Sequence, residues 1–203
     1  FEAQATRALA LAALEDEQGG DPVLIGVLTG GSRARAQFWD FDPGSGELPT
    51  FSWAFGLPTQ LMGCDGRSAE LNDPIALAMV PGDDGQLAAL YIATPSGVAL
   101  FSPEGNFLQW VLIASDYKTS EDAEVTVRDM AFDPDYGSLF VLLKTPPGVP
   151  ARLLGWNSTS IIEAWANREP RTLRVAPEGD YSTISEGLWE ACTGDTVLVQ
   201  GGN

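Results

Sequence analysis

Histidine is absent from all 203 residues. That excludes Ser-His-Asp and Cys-His nucleophile activation and every histidine-ligated metal site. Basic residues are scarce, 11 Lys and Arg against 28 Asp and Glu, for a formal charge of −17. A field of that sign repels phosphate backbones, so no nucleic-acid partner is expected. There are only 2 cysteines, Cys64 and Cys192, and no CxxC, which argues against thioredoxin-like and zinc chemistry. Two distant cysteines leave three states open: a disulfide, two buried thiols, or one of each kind. A bridge between them would suit an oxidising compartment. Also missing is any run of about 18 apolar residues, the length needed to span a bilayer as a helix. With 44% hydrophobic and 19% charged residues, what remains is a globular chain able to bury a core.

The first segment is rich in Ala and Leu: Thr6-Arg7-Ala8-Leu9-Ala10-Leu11-Ala12-Ala13-Leu14. These are the best helix formers, and Gly19-Gly20 supplies a stop, so composition predicts a helix over 1–20. After it the texture changes to short apolar runs punctuated by Gly, Pro and Asp, which reads as strands and turns. Val23–Thr29, Ala36–Phe41 and Thr50–Phe55 are such runs, and Asp42-Pro43-Gly44-Ser45-Gly46 is a turn between two of them. The pattern recurs at Gly97–Phe101, Ser102-Pro103-Glu104-Gly105-Asn106 and Phe107–Val111. Leu90-Tyr91-Ile92 likewise repeats as Leu139-Phe140-Val141. Strand-rich repeats of some 40–60 residues are a mark of propeller blades.

On these residues the chain resembles β-propellers of the NHL/YVTN type across about 22–165. The stretch from Asp73 to Val111, with its Leu90-Tyr91-Ile92-Ala93 strand and its Gly97–Phe107 hairpin, carries the likeness. Arg171–Asn203 is similar to the entry segment of right-handed parallel β-helix proteins of the pectate-lyase superfamily. There Leu173, Val175, Pro177, Gly179, Tyr181, Thr183, Ile184, Gly194, Asp195, Thr196, Val197 and Val199 fall on the pattern. The residues ahead of Gly19 resemble, over a shorter stretch, the membrane-proximal helix of pilin-like subunits. The resemblances imply a mainly β fold in three parts: an N-terminal helix (1–20), propeller-like antiparallel repeats (21–168), and the first turn of a parallel β-helix (169–203). In the pectate-lyase superfamily the catalytic residues lie in later coils, so no catalytic residue is assigned, and the chain is expected to be part of a longer one.

Three further groups are candidates for chemistry. Asp83, Asp84, Asp133 and Asp135 stand on Gly-rich turns, where close carboxylates can hold calcium, although none completes a DxDxDG loop. Trp165 and Trp189 are candidate ligand platforms. Asn157-Ser158-Thr159 matches a glycosylation sequon. Carboxylate pairs suited to glycoside hydrolysis are permitted by composition, but no spacing singles one out.

The expected function is an extracellular or cell-surface, non-catalytic scaffold or adhesin-like binding protein, contacting a protein or polysaccharide. The alternatives are a polysaccharide lyase, esterase or hydrolase whose catalytic coils lie elsewhere, and a pilin-like filament subunit. The uncharged run Val197-Leu198-Val199 is an edge through which the chain is expected to self-associate.

Overall fold

The computed structural model describes residues 6–13, 23–30, 34–64, 66–82, 86–118, 120, 123–192 and 195–200. Three antiparallel sheets follow one another along the chain. The first orders β1 (Thr6–Ala13), β2 (Val23–Thr29), β3 (Arg35–Phe41) and β4 (Thr50–Gly56) as a simple meander. A short pair, β5 (Gln60–Met62) and β6 (Ser68–Glu70), leads to the second sheet. That sheet contains β7 (Ala76–Pro81), β8 (Leu87–Thr94), β9 (Gly97–Phe101) and β10 (Phe107–Ile113). The third has β11 (Thr126–Asp133), β12 (Ser138–Lys144) and β13 (Arg152–Asn157), followed directly by α1 (Ser158–Ala166). Last comes β14 (Thr172–Val175), α2 (Ile184–Glu190) and β15 (Thr196–Val199), the two strands pairing in parallel.

The mainly β expectation holds, and its finer assignments are corrected. None of the sheets closes or takes up a propeller arrangement. Turn-rich hairpins with apolar strands are what any antiparallel meander requires, so the internal repeats reflect hairpin spacing and not a ring. The segment from β14 to β15 forms one strand-helix-strand unit, and no parallel β-helix is seen among the described residues. Its turn and cap residues serve that unit alone: Thr183 and Glu186 form a reciprocal capping box at the start of α2. Ile184, one of the residues on the β-helix pattern, is 51% exposed.

The N-terminal helix is also corrected, and the pilin-like resemblance goes with it. Residues 6–13 are a strand paired along β2, from Thr6 opposite Thr29 to Ala13 opposite Val23. Residues 1–5 and 14–20 lie outside the described residues. Composition misled here because the residues alternate: Ala8, Ala10 and Ala12 recur every second position. That is a strand period, whatever the helix propensity of each residue. Ala8 and Ala10 pack on the core, and their small size lets β1 run close to β7.

The second sheet is buried on both faces. Leu90 and Ile92 of β8 enter a cluster shared with the first sheet, alongside Leu24, Leu28, Phe38 and Met79. Tyr91 and Ala93, pointing the other way, join a cluster with Leu139, Val141 and Leu143 of the third sheet. This is why the Leu87–Thr94 segment reads as almost uninterrupted apolar sequence. Each large side chain so buried contributes about 1.5–3 kcal/mol. The faces meet closely: a Cβ on Gly26 of β2 would stand 2.7 Å from Leu77 Cδ2. At the β9–β10 turn Gly105 adopts φ +88°, and a side chain there would strike the Phe55 ring.

A buried hydrogen bond between two side chains ties the middle sheet to α1. The Tyr91 hydroxyl lies 2.8 Å from Ser158 Oγ, linking the middle sheet to the first residue of α1. Burial pushes the Tyr91 hydroxyl pKa upward, an effect that the Ser158 hydrogen bond partly offsets. Tyr91→Phe should cost about 1–2 kcal/mol, because Ser158 keeps its desolvation penalty without a partner. Urea titrations of Tyr91→Phe, Ser158→Ala and the double variant check this. The double variant should lose less than the two single losses combined.

Candidate functional site

The sequence-derived candidates do not converge. Asp133 Oδ1 accepts from the backbone N–H groups of Asp135 (3.0 Å) and Tyr136 (3.4 Å), so it is engaged in its own turn. Asp83 and Asp84 lie outside the described residues. Among the described residues no three acidic, cysteine or histidine side chains gather closely enough to hold a metal. Trp165, expected to be a surface platform, is half-buried on α1 against the second core cluster. Trp189 belongs to α2, but its side chain lies outside the described residues. Asn157 of the sequon caps α1, its Oδ1 accepting from Ser160 N–H at 3.0 Å.

Cys64, in the turn between β5 and β6, and Cys192, just after α2, form a disulfide with their Cα atoms 5.6 Å apart. Beside it stands a compact charged knot. The Asp195 carboxylate is wholly inaccessible and meets Arg168 and Arg171, each at 2.9 Å. It also accepts from the backbone N–H groups of Arg171 (2.8 Å) and Cys192 (3.1 Å). Burial by itself would raise its pKa. The N–H donors of Arg171 and Cys192 and the two guanidinium groups outweigh that and hold it well below the usual carboxylate range. The knot and the disulfide together fasten the strand-helix-strand unit, a structural role that requires no ligand.

The third sheet carries the surface that sequence reasoning missed. Its inner face is made by Leu139, Val141 and Leu143 of β12. The alternate residues Phe140, Leu142 and Lys144 therefore point outward, where no other sheet packs among the described residues. Cross-strand pairing places Ala131 beside Phe140 and Leu153 beside Leu142 on that face. Leu153 is 68% exposed and Phe140 39%. The Phe140 ring lies over Gly155, where an added Cβ would come within 3.2 Å of it.

At one end of this face a shallow groove of about 580 Å³ opens between the β11–β12 ends and the loop after β12. Arg128, Lys144, Leu142, Pro146, Pro147 and Val149 line it. The register shift between Val127 and Asp129 sets Arg128 at a bulge, turning it toward Lys144's side of the sheet. Neither cation has an ion-pair partner among the described residues. The nearby Asp129 carboxylate accepts from the Met130 N–H at 2.8 Å. The arrangement is an apolar sheet face with a cationic rim. A signal for it was present in sequence: Leu139–Leu143 is apolar at every position, so both faces of that strand are apolar.

No family model, no curated protein and no solved structure matches this chain.

Proposed function

We propose that the chain is a non-catalytic binding or scaffold module of the extracellular or cell-surface space, making its contact through the outward face of the third sheet. The observation that carries this reading is that face itself: exposed Phe140 and Leu153 beside half-buried Leu142, rimmed by Arg128 and Lys144. Grouped apolar side chains on a solvated sheet mark contact surfaces, whereas single exposed ones are ordinary. One aspect supports the compartment: the chain carries a disulfide between distant segments, a bond that persists where thiols are oxidised.

The test is fractionation of the source cells combined with thiol titration. The protein should be found outside the cytosol, without titratable thiols, and should release neither reducing ends nor unsaturated products from polysaccharides. Recovery from the cytosol with both thiols reduced overturns the compartment. Polysaccharide cleavage overturns the non-catalytic assignment.

A further inference from the structure

Opposite in charge to the third sheet's rim is the β3–β4 hairpin of the first sheet. Between Arg35 and Arg67 the sequence has no Lys or Arg, while Asp40, Asp42 and Glu47 cluster at the β3–β4 hairpin. None of these three carboxylates has an ion-pair partner among the described residues. The same hairpin displays Leu48, 87% exposed, with Phe51 at 60%. Phe51 is braced by Trp39, edge to face at 6.0 Å, on the outward side of the first sheet. The turn is also built to hold its shape. Asp42 Oδ1 accepts from Gly44 N–H at 2.8 Å, and Ser45 Oγ from Glu47 N–H at 3.1 Å.

We propose that the β3–β4 hairpin of one copy docks on the outward face of the third sheet of a second copy. Leu48 and Phe51 cover the Phe140–Leu142–Leu153 surface, and Asp42 and Glu47 meet Arg128 and Lys144 at its rim. The two surfaces are different patches, so the contact is heterologous: each bound copy still offers a free hairpin and a free face. Association is then open-ended and builds chains of copies. Charge complementarity sets the orientation, because any contact between two like ends opposes like charges. The inference rests on reading the third-sheet face as a contact surface, and it names the partner as the chain itself.

Sedimentation velocity of the disulfide-bonded chain over a range of concentrations tests this. The sedimentation coefficient should rise with concentration. Arg128→Glu with Lys144→Glu should weaken association by roughly tenfold, and so should Asp42→Lys with Glu47→Lys. Mixing these two variants, or combining all four substitutions in one chain, should restore it. Association that charge reversal leaves unchanged, or that the mixture fails to restore, overturns the proposal. A wild-type chain that is monomeric throughout also overturns it. In that case 8-anilinonaphthalene-1-sulfonate, an anionic apolar dye, separates the two readings. Dye fluorescence that Leu153→Glu abolishes leaves the face a contact surface for another partner, and absence of dye binding overturns both.

Discussion

Replacing Cys64 and Cys192 by serine should lower the unfolding free energy by about 3–5 kcal/mol in the chain-entropy account of cross-links. The size of the effect follows from the span of the bridge. The two residues are separated by 128 positions, so the cross-link restricts a long loop of the unfolded chain. Where the loss appears follows from the packing. Among the described residues the extensive contacts of β14, α2 and β15 are with one another, and none of comparable extent joins them to the three sheets. Beyond the chain connection through α1, the bridge is a principal tie between this unit and the body. Reduction should therefore release residues 171–200 first, while the apolar clusters between the sheets remain. Amide hydrogen exchange should rise in that unit under dithiol before far-ultraviolet circular dichroism changes. A urea midpoint unaffected by the double substitution would show that the bridge carries no stability. Cys64→Ser alone should match the double variant, since either change opens the same loop.

The strands of the middle of the chain were legible because turn chemistry and apolar runs agree there. Asp42-Pro43-Gly44-Ser45-Gly46 and Ser102-Pro103-Glu104-Gly105 mark their turns, and the strands on either side begin and end where those residues allow. The three-dimensional order of the sheets was not legible from the same signals. A meander leaves identical local patterns whether its sheets close into a ring or stand open, and that decision lies in contacts between faces. β1 departs from its composition for another reason. The helix propensity of each Ala and Leu competes with their alternation, and pairing with β2 decides in favour of the alternation. Among candidate sites, acidic turns drew attention because carboxylates are plentiful, yet Asp133 closes its own turn. The face bearing Phe140 and Leu153 is not legible in the sequence because a wholly apolar strand reads as core until its neighbours are known. Asp195 was matched to a family pattern, whereas its two arginine partners stand 24 and 27 positions before it and no local spacing announces them.

Asp195→Asn should loosen the strand-helix-strand unit by about 1–3 kcal/mol at neutral pH, and the deficit should fade in acid. The carboxylate has no solvent access and faces two guanidinium groups and two backbone N–H donors. An amide in its place retains one acceptor oxygen but no charge, and it turns an N–H₂ group toward Arg168 or Arg171. The sign of the pH dependence comes from the depressed pKa in the folded state. A carboxylate whose pKa is lower folded than unfolded contributes stability that is complete above its unfolded value, near 4. That contribution is lost as pH falls below this value toward the folded one. The wild-type unit should therefore weaken between about pH 4 and pH 2, whereas the variant, having no proton to bind at this position, should lack that component. Hydrogen exchange of the Thr196–Val199 amides reads the unit directly, because Thr196 N–H donates to Arg171 O at 2.9 Å and β15 pairs with β14. The two exchange profiles should differ at pH 7 and approach each other toward pH 2. Parallel profiles across that range, or a variant as well protected as wild type at pH 7, would show that the β14–β15 pairing holds the unit without the charge of Asp195.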